Sequence, residues 1–252
     1  MSVLLVTGGS RGIGADVARL ASERGWDVGI NYTAAEASAR QVATEVRGQG
    51  RKAAVIQADV SAPDEVEAMF RRTEEELGPI TGLVNSAGLA TGIGAIEDLD
   101  IEETRRMLEV NVFGLYVCCR CAVRRMAKRH GGGGGTIVNI SSASARSASP
   151  GAFVDYAASK AAVDTLTLGL AKEQGAQGIH VYGVRPGVIN TDMVAAAAEI
   201  NPAWLENVVA TTPLGRIGEV RDVSSAVLWL LSDEAHHSTG TILDISGGRI
   251  TQ

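Results

Sequence analysis

The glycine-rich segment that ends at residue 14 constrains the fold more than any other part of this 252-residue chain. Val3-Leu4-Leu5-Val6 is an unbroken apolar run, the pattern of a strand buried on both faces. It passes without a spacer into Thr7-Gly8-Gly9-Ser10-Arg11-Gly12-Ile13-Gly14, after which Ala15, Val17, Ala18, Leu20 and Ala21 recur at helical spacing. Strand, glycine turn and helix in that order let backbone N–H groups and a helix N-terminus face a pyrophosphate. Glycine is required there because a Cβ would hold the phosphates away from the backbone. A tight turn without a ligand is the plain alternative, but the strand before and the helix after are the context that the motif needs.

The rest of the chain repeats the same alternation. Short apolar runs begin near Val3, Val28, Ala53, Leu83, Ile137, Val181 and Thr241, with helical stretches between most of them. This predicts an α/β fold, a Rossmann-type doubly wound parallel sheet with helices on both faces. No shift of composition marks a second domain, so residues 1–252 read as one. The glycine run at 131–135 reads as a flexible connection on the side away from the ligand.

Composition narrows the function. The net charge is −6, from 29 acidic and 23 basic residues, which argues against a nucleic-acid surface. No apolar stretch approaches the ~20 residues that span a membrane. Met1-Ser2-Val3 runs straight into the first strand, which reads as no signal peptide and a cytoplasmic location. Cys118, Cys119 and Cys121 are odd in number and point different ways on one helical segment, so neither a disulfide framework nor a metal site is expected.

Tyr156 and Lys160 bring in chemistry. Four residues apart, they share one helix face. A free tyrosine releases its proton only near pH ~10. A nearby ammonium favours the phenolate, which makes such a pair serviceable as an acid or base near neutrality. Alone the spacing is ordinary; its weight comes from the other motifs.

Taken in order, those motifs identify the chain as resembling the short-chain dehydrogenase/reductase family, in its shorter single-domain branch. Gly8, Gly12 and Gly14 follow the family's Thr-Gly-x-x-x-Gly-x-Gly spacing, and Tyr156 to Lys160 its Tyr-x-x-x-Lys. The resemblance implies cofactor contacts from Gly8, Ser10, Arg11, Gly12, Ile13 and Gly14. It implies more from Asn31 and Tyr32 at the second strand, from Asp59 and Val60 beside the adenine, and from Asn85, Ala87 and Gly88. In Asn85-Ser86-Ala87-Gly88 the family's second Asn is Ser86. Pro186, Gly187, Ile189 and Thr191 resemble the segment against the nicotinamide carboxamide, and Tyr156 and Lys160 also touch the cofactor. Asn111 matches the helix Asn that holds a water in the family's proton relay. Of the serines ending Ile137-Val138-Asn139-Ile140-Ser141-Ser142, the family's catalytic one matches Ser142. The interval to Tyr156 is longer than is common, so Ser141 stays open. Tyr182 stands where relatives usually carry Asn.

The implied activity is hydride transfer between NADP(H) and a carbonyl or secondary alcohol. Tyr156 would be the general acid/base, Ser142 would hydrogen-bond the carbonyl oxygen, and Lys160 would lower the tyrosine pKa and hold the nicotinamide ribose. NADP(H) is expected over NAD(H), because no acid ends the second strand and Arg11 lies inside the glycine loop. Glu36 lies close enough to blur this. The Ala-rich segment 190–213 is expected to be a substrate lid. The family also implies a homodimer or homotetramer, with a small-molecule carbonyl or hydroxyl compound as substrate. The alternatives are an NADPH-binding sensor or scaffold without turnover, an NAD-dependent sugar or alcohol dehydrogenase, and a nucleotide-sugar epimerase. A longer chain is expected for the last.

Overall fold

The computed structural model describes residues 2–90, 93–200 and 202–249. Seven strands form one parallel sheet: β1 (Val3–Thr7), β2 (Asp27–Tyr32), β3 (Ala53–Gln57), β4 (Ile80–Asn85), β5 (Gly135–Ile140), β6 (Ile179–Pro186) and β7 (Ile242–Ile245). Their order is β3-β2-β1-β4-β5-β6-β7. The chain winds outward from β1 through β2 to β3, then returns to place β4 on the other side of β1. Between β1 and β4 the connections diverge, which leaves a crevice at the carboxyl ends of these strands. Thr7 and Asn85 stand opposite one another there.

The alternation of side chains builds two cores. Leu4 and Val6 point to one face with Val28, Ile30, Val84 and Val138. Helices α1 (Gly12–Glu23), α2 (Glu36–Gly48) and α10 (Val220–Leu230) cover that face. Val3 and Leu5 point to the other with Ile56, Leu83 and Ile137. It is covered by α3 (Pro63–Leu77), α5 (Leu115–Met126) and α7 (Val154–Gln174). Burying each of the large aliphatic chains contributes about 1.5–3 kcal/mol. Shorter helices α4 (Ile101–Leu108), α6 (Ser144–Ser147), α8 (Asp192–Ile200) and α9 (Pro202–Thr211) lie in the connections. Asn201, within the expected lid, lies outside the described residues.

The glycine run is not the flexible connection that its composition suggests. Gly134 donates to the Met126 carbonyl at 2.8 Å and Gly135 to the Gly178 carbonyl at 3.0 Å. A Cβ on Gly134 would lie 2.5 Å from the Gly178 oxygen, and one on Gly135 2.6 Å from the Thr81 oxygen. Close packing of backbone on backbone, not freedom of movement, is what these glycines provide.

Tyr182 also finds its reason here. Its ring is fully buried in the α10 core, and its hydroxyl donates to the Ala235 carbonyl at 2.6 Å. It ties β6 to the turn that precedes β7. Tyr182→Phe keeps the ring and removes that hydrogen bond, so unfolding in urea is expected to show a loss of about 1 kcal/mol.

Candidate active site

The glycine loop is held by neighbours that leave it no slack. Gly8 donates to the Asn31 side-chain oxygen at 3.1 Å, and Gly9 to the Asn31 carbonyl at 2.8 Å. Asn31 in turn donates to the Ala58 carbonyl at 2.9 Å. On the other side, the Thr7 hydroxyl accepts from the backbone of Ser86 at 3.1 Å and of Ala87 at 3.2 Å. Gly8 has φ +62°, and a Cβ there would lie 2.9 Å from Ala87 Cα. A Cβ on Gly14 would collide with the Gly8 carbonyl. Helix α1 begins at Gly12, and Arg11 before it gives no side-chain cap. The result is a cradle without side chains at an uncapped helix N-terminus, which fits the pyrophosphate of a dinucleotide.

The other residues expected at the cofactor divide into two groups. Asn31, Tyr32, Val60, Asn85 and Ile189 are buried and hold the frame. Asn85 donates to the Asn139 side chain at 2.9 Å, and Asn139 to Thr167 at 2.9 Å. Ser10, Arg11, Gly12, Ile13, Ala87, Gly88, Gly187 and Thr191 keep accessible surface around the crevice. Thr191 comes back to the loop, its methyl 3.6 Å from where a Gly12 Cβ would stand. Pro186 ends β6, and Gly187 after it donates to Ile245 at 2.9 Å. At Asp59 burial works to raise the carboxyl pKa, but hydrogen bonds from Ser61 and Arg106 outweigh it and lower it. Glu36 is taken up by Arg40 at 2.6 Å.

Asn111, Lys160 and the turn after β4 form the second half of the site. Asn111 sits in a π-helical turn (Glu109–Gly114), a widening that recurs at functional sites. Its oxygen accepts from Leu89 N at 2.8 Å, and its amide donates to the Leu89 carbonyl at 2.9 Å and to Ser159 at 3.1 Å. Both ends of that side chain are therefore engaged by protein. Lys160 is buried and donates to the Ile140 carbonyl at 3.0 Å. Burial pushes its pKa down to about 8, against the pull of Asp164 one turn along the helix. Asp164 itself is bound by Arg185 at 2.8 Å.

The two serines separate cleanly. Ser141 is buried, and its hydroxyl donates to the Lys160 carbonyl at 3.1 Å. Ser142 accepts from Ser144 N at 3.1 Å, acts to lower the Tyr156 pKa, and lines an open cleft of about 400 Å³. Tyr156 is partly buried, and burial raises its pKa despite Ser142. This differs from a phenol lowered by its lysine: the Lys160 ammonium lies 5.6 Å from the ring centroid and is turned to Ile140. Thr7, Ser141 and Asp164 were not singled out in sequence as supports. Only Thr7, inside the glycine motif, had a local signal.

Gly14→Ala must push the Gly8 carbonyl or α1 aside, and overpacking of this kind costs about 1–3 kcal/mol. A matching drop in urea midpoint, with weakened binding of a nicotinamide dinucleotide by calorimetry, is the expected outcome.

Comparisons agree with this geometry. A family model described as enoyl-(acyl carrier protein) reductase matches residues 8–249. An uncharacterized oxidoreductase of Escherichia coli, YgfF, is 45% identical over 99% of this chain and 100% of its own. A short-chain type dehydrogenase/reductase from Mycobacterium ulcerans superposes with a TM-score of 0.90 at 33% identity, over 98% of this chain and 89% of that one. A blue fluorescent protein from a metagenomic library, solved with NADPH, also reaches 0.90, at 34% identity over 99% and 98% of the two chains. With its glycine cradle, parallel sheet and Ser–Tyr–Lys cluster, this chain belongs to the short-chain dehydrogenase/reductase family of oxidoreductases.

Proposed function

We propose that this oxidoreductase transfers a hydride between NADP(H) and the carbonyl carbon of a ketone or aldehyde, with Tyr156 as the acid in reduction and the base in oxidation. The observation that carries this reading is the placing of Ser142 on the cleft, where its hydroxyl acts to lower the Tyr156 pKa, with buried Lys160 one turn beyond Tyr156 on α7. When bound, the reduced nicotinamide supplies the hydride. The chain supplies two hydroxyl donors for the oxygen on which negative charge builds, and Tyr156 passes its proton to that oxygen. A phenol raised by burial is protonated at neutral pH, the state that reduction needs. Lys160 sets a positive charge near the phenol and would hold the nicotinamide ribose of a bound cofactor. Asn111, its amide spent on Leu89 and Ser159, fixes the turn at Gly88 beside Lys160.

Charge at the glycine loop supports NADP(H). Arg11 is exposed, with only a 3.7 Å contact to the also exposed Asp192. The second strand ends in Tyr32 without an acid, and Glu36 is engaged by Arg40. The metagenomic relative solved with NADPH points the same way. Helices α8 and α9 in 190–213 are the proposed lid, since Trp204 already lines the cleft. A homodimer or homotetramer is supported by an apolar groove on the outer face of α4, α5 and α7, where Ile101, Leu108, Phe113 and Tyr116 are exposed. No described helix is long and apolar enough to cross a membrane. A cytoplasmic location completes the proposal.

The deciding test follows NADPH and NADH oxidation against a panel of ketones, aldehydes and 3-oxoacyl thioesters. Tyr156→Phe should lose about 100-fold or more in turnover, while NADPH affinity stays close to wild type. Undiminished turnover would end the assignment of Tyr156. Faster turnover with NADH would overturn the reading of Arg11.

The rate should also report Lys160. With its pKa about 8, the ammonium is lost as pH rises through that value, and the reduction rate should fall there. The Asp164 carboxylate raises that pKa, so Asp164→Asn should move the falling limb to lower pH. A limb that does not move would exclude Lys160 as its origin.

A further inference from the structure

The cleft beside Ser142 has a charge pattern that the proposed hydride transfer does not use. Its volume, about 400 Å³, is at the small end of ligand pockets. Ser142, the loop around α6, and Gly187 and Val188 just after β6 line it. Pro150, Phe153, Val188 and Trp204 give it apolar surface. The charged residues that line it are Arg146 and Arg249, and no acid does. In a chain with 29 acidic and 23 basic residues, a cleft wall without an acid runs against the overall balance.

The arginines nearby are not equally committed. Arg185 is bound to Asp164 at 2.8 Å and reaches Asp244 at 3.5 Å. Arg146 binds the other oxygen of Asp244 at 3.1 Å. Two guanidiniums thus meet two carboxylates, and that cluster is neutral. Arg249 has no ion-pair partner among the described residues, so the cleft keeps one uncompensated positive charge. Around Arg146, hydroxyls gather: Ser149 donates to Ser144 at 3.2 Å and lies 3.4 Å from Ser147. Ala148 and Ser149 hold φ of +57° and +42°, the positive-φ non-glycine residues of the described chain. Such backbone is costly for L-residues and persists where surrounding structure imposes it.

We infer that the cleft takes a small carbonyl compound carrying a carboxylate, with the carbonyl at Ser142 and Tyr156 and the carboxylate at Arg249, the serine hydroxyls and the free edge of Arg146. This rests on the proposed carbonyl chemistry and names its substrate class. A guanidinium matches a carboxylate in a planar, two-pronged contact. The apolar side chains that share the cleft, Pro150, Phe153, Val188 and Trp204, suit a short carbon skeleton. The carboxylate takes no part in the reaction; it orients the carbonyl and selects against neutral analogues.

Calorimetry on the NADP-loaded enzyme tests this with benzoate and its neutral isostere benzamide. Benzoate should bind about tenfold more tightly, as a charged hydrogen bond at a partly exposed site provides. In Arg249→Gln the ratio should fall close to one, and Arg249→Lys should recover part of it. Raising the salt from 0.02 to about 0.5 M should shrink the wild-type ratio without any substitution. Equal binding of the two compounds by the wild type, or an undiminished ratio in Arg249→Gln, overturns the inference. The parallel assay compares 4-formylbenzoate with its methyl ester as substrates for NADPH oxidation. Turnover of both at equal kcat/KM would remove the anion preference and leave the oxidoreductase reading intact. A benzoate preference that depends on Arg249, with neither aldehyde reduced, would sustain the anion site and count against the role of Tyr156.

Discussion

Steric exclusion at the end of β1 is the constraint on which the remaining structure depends. Gly8 and Gly14 lie so close to Ala87 and to each other that neither has room for a Cβ. That closeness lets α1 start directly above the crevice between β1 and β4, where reversal of the strand order has opened the sheet. With a wider loop, the N–H groups of α1 would retreat from the crevice, and the Thr7 hydroxyl would lose the Ser86 and Ala87 amides it accepts. The dinucleotide cradle is therefore a packing feature first. Its affinity for phosphate follows from the backbone that packing exposes.

The cradle and the residues proposed for proton transfer are joined through the turn that follows β4. Thr7 holds the first part of that turn and Asn111 the last, by its paired bonds to Leu89. Gly88, between them, passes beside Lys160; a Cβ there would stand 3.5 Å from the ammonium nitrogen. Lys160 in turn shares α7 with Tyr156, and its carbonyl receives Ser141. Ser142, the next residue, is thereby aimed at the phenol. The geometry of three catalytic candidates thus rests on a short series of backbone contacts, most of them made by side chains that never face the cleft.

Electrostatics within this frame runs opposite to the simplest expectation from the Tyr–Lys spacing. Burial acts on both groups, raising the phenol and lowering the ammonium. Each is moved toward its neutral form, because a low-dielectric surround penalises charge of either sign. Asp164 resists this at the lysine, and Arg185 keeps Asp164 in place. The same arginine reaches Asp244, which also binds Arg146 in the cleft wall. One ionic cluster therefore acts on the lysine and reaches the rim of the cleft.

Local sequence determined the elements and the chemistry. Apolar runs of strand length, alternating with helical spacing, specify a parallel sheet because each run must be covered on both faces. The glycine spacing and the Tyr156–Lys160 pair pointed to the two ends of the candidate site, the pair only in the company of the other motifs and through the family resemblance. Tertiary structure decided what spacing cannot carry. It distinguished Ser141 from Ser142, because the pleat sends consecutive side chains to opposite sides of a strand end and only packing says which side is the cleft. It turned the glycine run from a linker into a close-packed joint, because contact with Gly178 and Thr81 joins residues far apart in the chain. It also turned Asn31, Tyr32, Asn85 and Ile189 inward as supports and left Arg249 at the cleft without an ion-pair partner among the described residues, since burial and charge balance depend on neighbours that the chain brings together only when folded.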